Sequence, residues 1–249
     1  MTSARFAALA FAVAAPALAQ LTDDEHACQQ AASKQSGTLA AKTIKCLVAC
    51  DKQALKGKVP TTDCLPPLGG ATLACADGAR TKALDGIAKK CTLDCPECYA
   101  AGDCGAHAAA LADDVGAEIA FVVPFVRCDN TASPDGLTAA EAKIRQKVAL
   151  AVGKFVASSE KCVAKCRKAE AAGKLPPGSC VYLAETDPKT TACLIKVGDK
   201  ALGLLEDPEL DAPECLAPSL SFALPIAQGL LEEFDPRIFC GSPSGAFVE

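Results

Sequence analysis

The stretch "KCLVACDKQALKGKVPTTDC", residues 45–64, returns with small changes as "KCVAKCRKAEAAGKLPPGSC" at residues 161–180. Cys46 and Cys50 lie one helical turn apart, and so do Cys162 and Cys166. Two thiols at that spacing can hold a metal, do redox work or staple a helix to its neighbours. What surrounds the two copies decides between these chemistries, and the fold follows from the decision.

A shift of 116 residues carries much of the first half onto the second. Thr22 falls on Thr138, Glu25 on Glu141, Gly37 on Gly153, Cys46 on Cys162, Cys50 on Cys166, Pro60 on Pro176 and Cys64 on Cys180. With shifts of 118, 117 and 112, Cys75 falls on Cys193, Cys98 on Cys215 and Cys128 on Cys240. The chain thus reads as two tandem units, 20–132 and 133–249, joined at the turn-rich "DNTASPDG" of residues 129–136.

The matched residues have physical reasons to match. Thr22-x-x-Glu25 and Thr138-x-x-Glu141 are capping boxes that open a helix. Gly57 and Gly173 stand where a helix should end, with Pro60 and Pro176 just beyond. Lys52, Lys56, Arg167 and Lys168 complement the negative end of the helix dipole. A first helix is therefore expected over about 23–56 and again over about 139–172. A second helix is expected within 71–91 and 189–207, and a third within 105–128 and 219–239, where Pro225 and Pro236 should shorten or kink it. No alternating apolar run calls for a sheet. The expected fold is all-α: two tandem disulfide-stapled three-helix units, each a helical hairpin plus a third helix.

Composition explains why staples are needed. Half of the 249 residues are hydrophobic, but many are Ala; aromatics are 4% and Trp is absent, so each buried residue contributes little area. Sixteen cysteines point to covalent compensation in an oxidising compartment. Residues 1–19 read as a signal peptide: Arg5, a short apolar run, and a cleavage site after Ala19 at Ala17-Leu18-Ala19. No later segment is an uninterrupted apolar span, so no membrane span is expected. A net charge of −5 argues against nucleic acid as a partner.

Helix geometry suggests the pairing. The first unit has four cysteines without a counterpart: Cys28, Cys91, Cys95 and Cys104. If disulfides are lost in whole pairs, these pair among themselves. In an antiparallel hairpin Cys28 faces Cys91 and Cys46 faces Cys75, and Cys50 points toward Cys64 in the hairpin loop. Cys95–Cys104 then forms a local clip, and Cys98–Cys128 ties the third helix back. The second unit repeats three of these as Cys162–Cys193, Cys166–Cys180 and Cys215–Cys240. The main rival is the twin C-x3-C pattern, which would join Cys46 to Cys95 and Cys50 to Cys91.

Other chemistries find less support. Only His26 and His107 are available beside the cysteines for a metal, and neither lies in a ligand motif, so no metal or cofactor is expected. Cys95-Pro96-Glu97-Cys98 has the CPxC form of thioredoxin-like sites but lacks their βαβ context. HExxH, GxSxG, P-loop and CxxCH motifs are missing. The acidic stretch 206–214 lacks the EF-hand spacing for Ca²⁺.

Lys45, Cys46, Cys50, Gly57, Lys58, Pro60, Cys64 and Cys75, with their copies from Lys161 to Cys193, give the chain a resemblance. It resembles a loose group of cysteine-rich helical repeat proteins exported by bacteria. The resemblance implies fold and export and assigns no activity. The expectation is an exported, non-catalytic structural or interaction module in the periplasm or outside the cell, not an enzyme. The alternative is a carrier of apolar ligands, saposin-like or lipid-transfer-like, with Ile119, Phe121, Val122, Val123 and Phe125 lining a cavity. A metal-binding or thiol-redox protein comes third. The partner would be an apolar small molecule or an extracellular protein.

Overall fold

Thr22 and Thr138 each begin a long helix in the same way. Thr22 Oγ1 accepts a bond from the Glu25 amide at 3.2 Å, and the Thr22 amide donates to the Glu25 carboxylate at 2.7 Å. Thr138 and Glu141 repeat both bonds at the same distances. These reciprocal caps satisfy amides that a helix start leaves without partners. They open α1 (Asp23–Ala54) and α4 (Ala139–Ala171). Both helices also stop alike. Gly57 and Gly173 sit at φ of +64° and +65°, the left-handed conformation that closes a helix, and Lys58 and Lys174 donate back to Gln53 and Ala169.

The remaining helices are α2 (Gly70–Ala88), α3 (Cys104–Arg127), α5 (Pro188–Leu205) and α6 (Ala217–Phe239), with a 3-10 turn over Thr61–Cys64 before α2. The computed structural model describes residues 21–127, 138–205 and 217–239, apart from 93, 94, 97, 100, 101, 177 and 181–186. The expected signal peptide, the joint at 129–136, the acidic stretch 206–214 and Cys128, Cys215 and Cys240 lie outside the described residues. Among the described residues there is no strand, and the fold is all-α. α6 runs on through Pro225 and Pro236 rather than stopping at either. Pro225 is exposed, so water can serve the helix carbonyl that its missing N–H leaves open.

Disulfides join α1 to α2 and α4 to α5 as two hairpins. The most extensive packing, however, is between α1 and α4, across the two halves. These helices meet at glycines. A Cβ added to Gly37 would come within 3.2 Å of the Ala157 Cα, and one added to Gly153 within 3.4 Å of the Ala41 Cα. The absent side chains let the two backbones approach closely, as at other small-residue helix contacts.

The two contacts are related. Gly37 faces Ala157 and Glu160, and Gly153 faces Ala41 and Ile44. The same 116-residue shift turns one set into the other, so exchanging the halves maps the crossing onto itself. This is the self-complementary geometry of a twofold dimer interface, formed within one chain. α3 and α6 pack antiparallel across the halves: Arg237 pairs with Asp114, and one turn away burial and then the charge of nearby Glu233 raise the Glu118 pKa. A single buried cluster draws on all six helices through residues such as Leu39, Ile87, Val115, Val152, Ala201 and Leu231. The core thus runs across the boundary between the halves.

Candidate functional site

The cysteines dominate the chemistry of the molecule. Cys46–Cys75 and Cys162–Cys193 tie each long helix to the next, with Cα separations of 5.8 and 5.9 Å. Cys50–Cys64 and Cys166–Cys180 tie each long helix to its hairpin loop, at 5.5 and 5.6 Å. Both distances lie in the ordinary disulfide range. Cys28–Cys91 and Cys95–Cys104 complete the set in the first half. Cys46 and Cys50 therefore do not bond to Cys95 and Cys91, as the twin C-x3-C pattern would require. Cys98 is disulfide-bonded as well. The expected pairs Cys98–Cys128 and Cys215–Cys240 include residues outside the described ones.

Cys28–Cys91 and Cys95–Cys104 lie against each other. Cys28 Sγ is 3.6 Å from Cys104 Sγ, and the sulfurs of Cys28, Cys91 and Cys104 all fall within 4.8 Å of one another. Among the described residues this is the one grouping with metal-ligand spacing. Its sulfurs are spent in disulfides, and only a thiolate ligates a metal. The CPxC segment is divided: Cys95 bonds Cys104, and Cys98 belongs to a different disulfide. A thioredoxin-like site would join those two cysteines to each other.

Buried charge gathers at the α1–α4 crossing. Arg145 donates to Asp51 at 3.0 Å, with both side chains almost fully buried. Ser33 Oγ donates to the Glu160 carboxyl at 2.7 Å. Burial raises the Glu160 pKa to about 8 against the pull of that hydrogen bond, and nearby Asp235 adds to the rise, so the group is largely protonated at neutral pH. Farther along α4, Arg167 bridges Asp235 at 2.8 Å and Glu170 at 3.2 Å, with its guanidinium 5.4 Å from the centre of the Phe239 ring. Burial also raises the Asp235 pKa, with Arg167 opposing.

Tyr99, which carried no sequence signal of its own, is buried and donates its hydroxyl to the Ile238 carbonyl at the end of α6. Its ring stacks on His107 at 3.8 Å between centroids. Burial lowers the pKa of both His107 and His26, and neither joins the sulfur cluster. Of the apolar residues expected to line a cavity, Ile119 is packed in the shared core beside Val115; the side chains of Phe121, Val122, Val123 and Phe125 lie outside the described ones.

A hollow of about 380 Å³ opens beside the second hairpin, between Cys162, Cys166, Leu175 and Cys193, with Lys165, Lys174 and Lys189 at its rim. On α5, Ile195 and Leu202 lie two turns apart and are 58% and 40% exposed, far more than a core face would leave them. No described helix is long and apolar enough to cross a membrane.

No protein-family model, curated protein or solved structure matches this chain.

Proposed function

We propose that the protein is an exported, non-catalytic scaffold that acts by presenting a rigid helical surface to other molecules. The observation that carries this reading is the doubled staple set. Each long helix is fixed to its partner helix and to its hairpin loop by disulfides at matching positions, Cys46–Cys75 with Cys162–Cys193 and Cys50–Cys64 with Cys166–Cys180. Each such bond restrains the unfolded chain by about 2–4 kcal/mol, a large gain for an Ala-rich core and one that persists where reductant is scarce. Cross-linking at this density suits a surface held in one shape outside the cytoplasm. It suits a site that must open and close poorly. The signal-peptide pattern of residues 1–19 supplies the route of export.

Packing of Ile119 and Val115 in the shared core favours the scaffold over a carrier of apolar ligands. Thiol titration in denaturant and native mass spectrometry, on protein purified from an oxidising compartment, test the reading. The expected results are no titratable thiol and a bare polypeptide mass. A stoichiometric lipid or other apolar adduct would replace the scaffold with the carrier, and a retained metal would replace it with the metal-binding reading.

A further inference from the structure

The lengths of α3 and α6 constrain the cysteines beyond the hairpins. Cys28, Cys46, Cys50, Cys64, Cys75, Cys91, Cys95, Cys104, Cys162, Cys166, Cys180 and Cys193 pair among themselves. Cys98 is also disulfide-bonded, so its partner is Cys128, Cys215 or Cys240.

Cys128 is too far away. α3 is 24 residues long, which sets its ends about 35 Å apart. The Cα atoms of Cys95 and Cys104 are 5.7 Å apart, and the three residues from Cys95 to Cys98 span at most about 11 Å. Cys98 therefore stays within about 17 Å of the start of α3. Cys128, one residue past its end, is at least about 14 Å from Cys98, twice the reach of a disulfide. The same reasoning separates Cys215 from Cys240. α6 is 23 residues long, and the short extensions at either end leave those two cysteines at least about 22 Å apart.

Tyr99 selects among the rest. Its hydroxyl bonds the Ile238 carbonyl, which places Cys98 beside the C-terminal end of α6. Cys240 is two residues beyond Ile238. Cys215 precedes the opposite end of α6 and stays at least about 9 Å from Cys98. Cys128 and Cys215 then remain, one just after α3 and one just before α6, and the antiparallel packing of these helices brings those two ends to the same side.

We propose that Cys98 is joined to Cys240 and Cys128 to Cys215, two disulfides that cross between the halves. The shifts that place Cys98 on Cys215 and Cys128 on Cys240 turn one bond into the other. The exchange that maps Gly37 against Ala157 onto Gly153 against Ala41 thus applies to these bonds too. They replace the within-half pairs Cys98–Cys128 and Cys215–Cys240 with a reciprocal swap of the same four residues. Each bond forms when two thiols lose two electrons and two protons to a disulfide-donating oxidant, which leaves as a dithiol.

Tryptic digestion without reductant, after thiol blocking at acidic pH, tests the assignment by mass spectrometry. Peptide 128–143 is expected linked to 201–237, and 238–249 linked to 91–127. A link between 128–143 and 91–127, a link between 201–237 and 238–249, or an alkylated Cys128 would overturn it. A protease site placed within 131–136 gives an independent measure. The cut chain is expected to run as one species in denaturing gels without reductant and as two halves with it. Separation without reductant would overturn the proposal.

Discussion

Asp51 and Arg145, 94 positions apart in sequence, form an ion pair buried between α1 and α4. Their place in the crossing gives the pair a selective role. Asp51 occupies the position that Arg167 holds in the other half, and Arg145 the position of Gln29. If two copies of the second half crossed in this way, Arg167 would face Arg145. Two copies of the first would leave Asp51 facing Gln29. Only unlike halves bring opposite charges together, so the pair disfavours the wrong assemblies as well as supporting the right one.

Asp51→Ala should therefore be costly, because it leaves the Arg145 charge buried without that carboxylate. A loss of about 3–5 kcal/mol is expected in urea unfolding of the oxidised protein. Replacing both members, as Asp51→Leu with Arg145→Met, should recover most of that loss. Equal destabilisation by the single and double variants would show that the ion pair is not the source of the effect.

The two crossing glycines should respond differently to alanine. At Gly37 the new methyl meets the Ala157 backbone and the Glu160 Cβ, both at 3.2 Å, and neither yields easily. Overpacking of about 1–3 kcal/mol then outweighs the helix-propensity gain of about 1 kcal/mol. At Gly153 the closest atom is the Ile44 Cδ1 at 3.3 Å, the free end of a side chain that can turn away. Thermal unfolding should place Gly37→Ala below the parent protein and Gly153→Ala close to it.

Glu160 should make stability fall as pH rises. Its pKa is raised to about 8 in the folded chain, whereas an unfolded glutamate titrates near 4.5. The folded state therefore holds the extra proton, and its advantage is complete below the unfolded pKa. It declines as pH climbs through that value to the folded one, by at most about 1.4 kcal/mol per pH unit. Glu160→Gln keeps an acceptor for Ser33 and cannot ionise. The variant should match the parent near pH 4 and melt at a higher temperature at pH 9. A difference independent of pH would contradict this account.

Cys91→Ser should move a disulfide rather than simply remove one. It frees the Cys28 thiol at 3.6 Å from Cys104 Sγ. As the thiolate, Cys28 attacks that sulfur, forms Cys28–Cys104 and releases Cys95, which takes up a proton. Alkylation followed by peptide mapping should find the label on Cys95. Label on Cys28 would mean that exchange does not occur.

Local signals carried much of the fold. The capping threonines, the exit glycines and the matched cysteines each act within a turn or one hairpin, so their spacing in sequence reports their spacing in space. The pairing among Cys28, Cys91, Cys95 and Cys104 was legible for the same reason. The crossing was not. A duplicated pattern says that two parts are alike, not which faces they turn to each other. Gly37 and Gly153 were visible only as matched positions, and their role depends on Ala157 and Ala41 lying opposite. Arg145 and Glu160 offered a faint clue, being charged residues where the other half has Gln29 and Ile44. Tyr99 gave no clue, because its partner is a backbone carbonyl 139 residues away.

The crossing of α1 and α4 has the form of a dimer interface, but dilution cannot take it apart. Two separate subunits meeting at the same glycines would have to offset the lost freedom of two bodies. On one chain that cost falls to closing a loop, and the effective concentration of one half around the other does not change with protein level. The two halves therefore stay paired at any concentration. They are also free to differ on their outer faces, where α5 exposes Ile195 and Leu202.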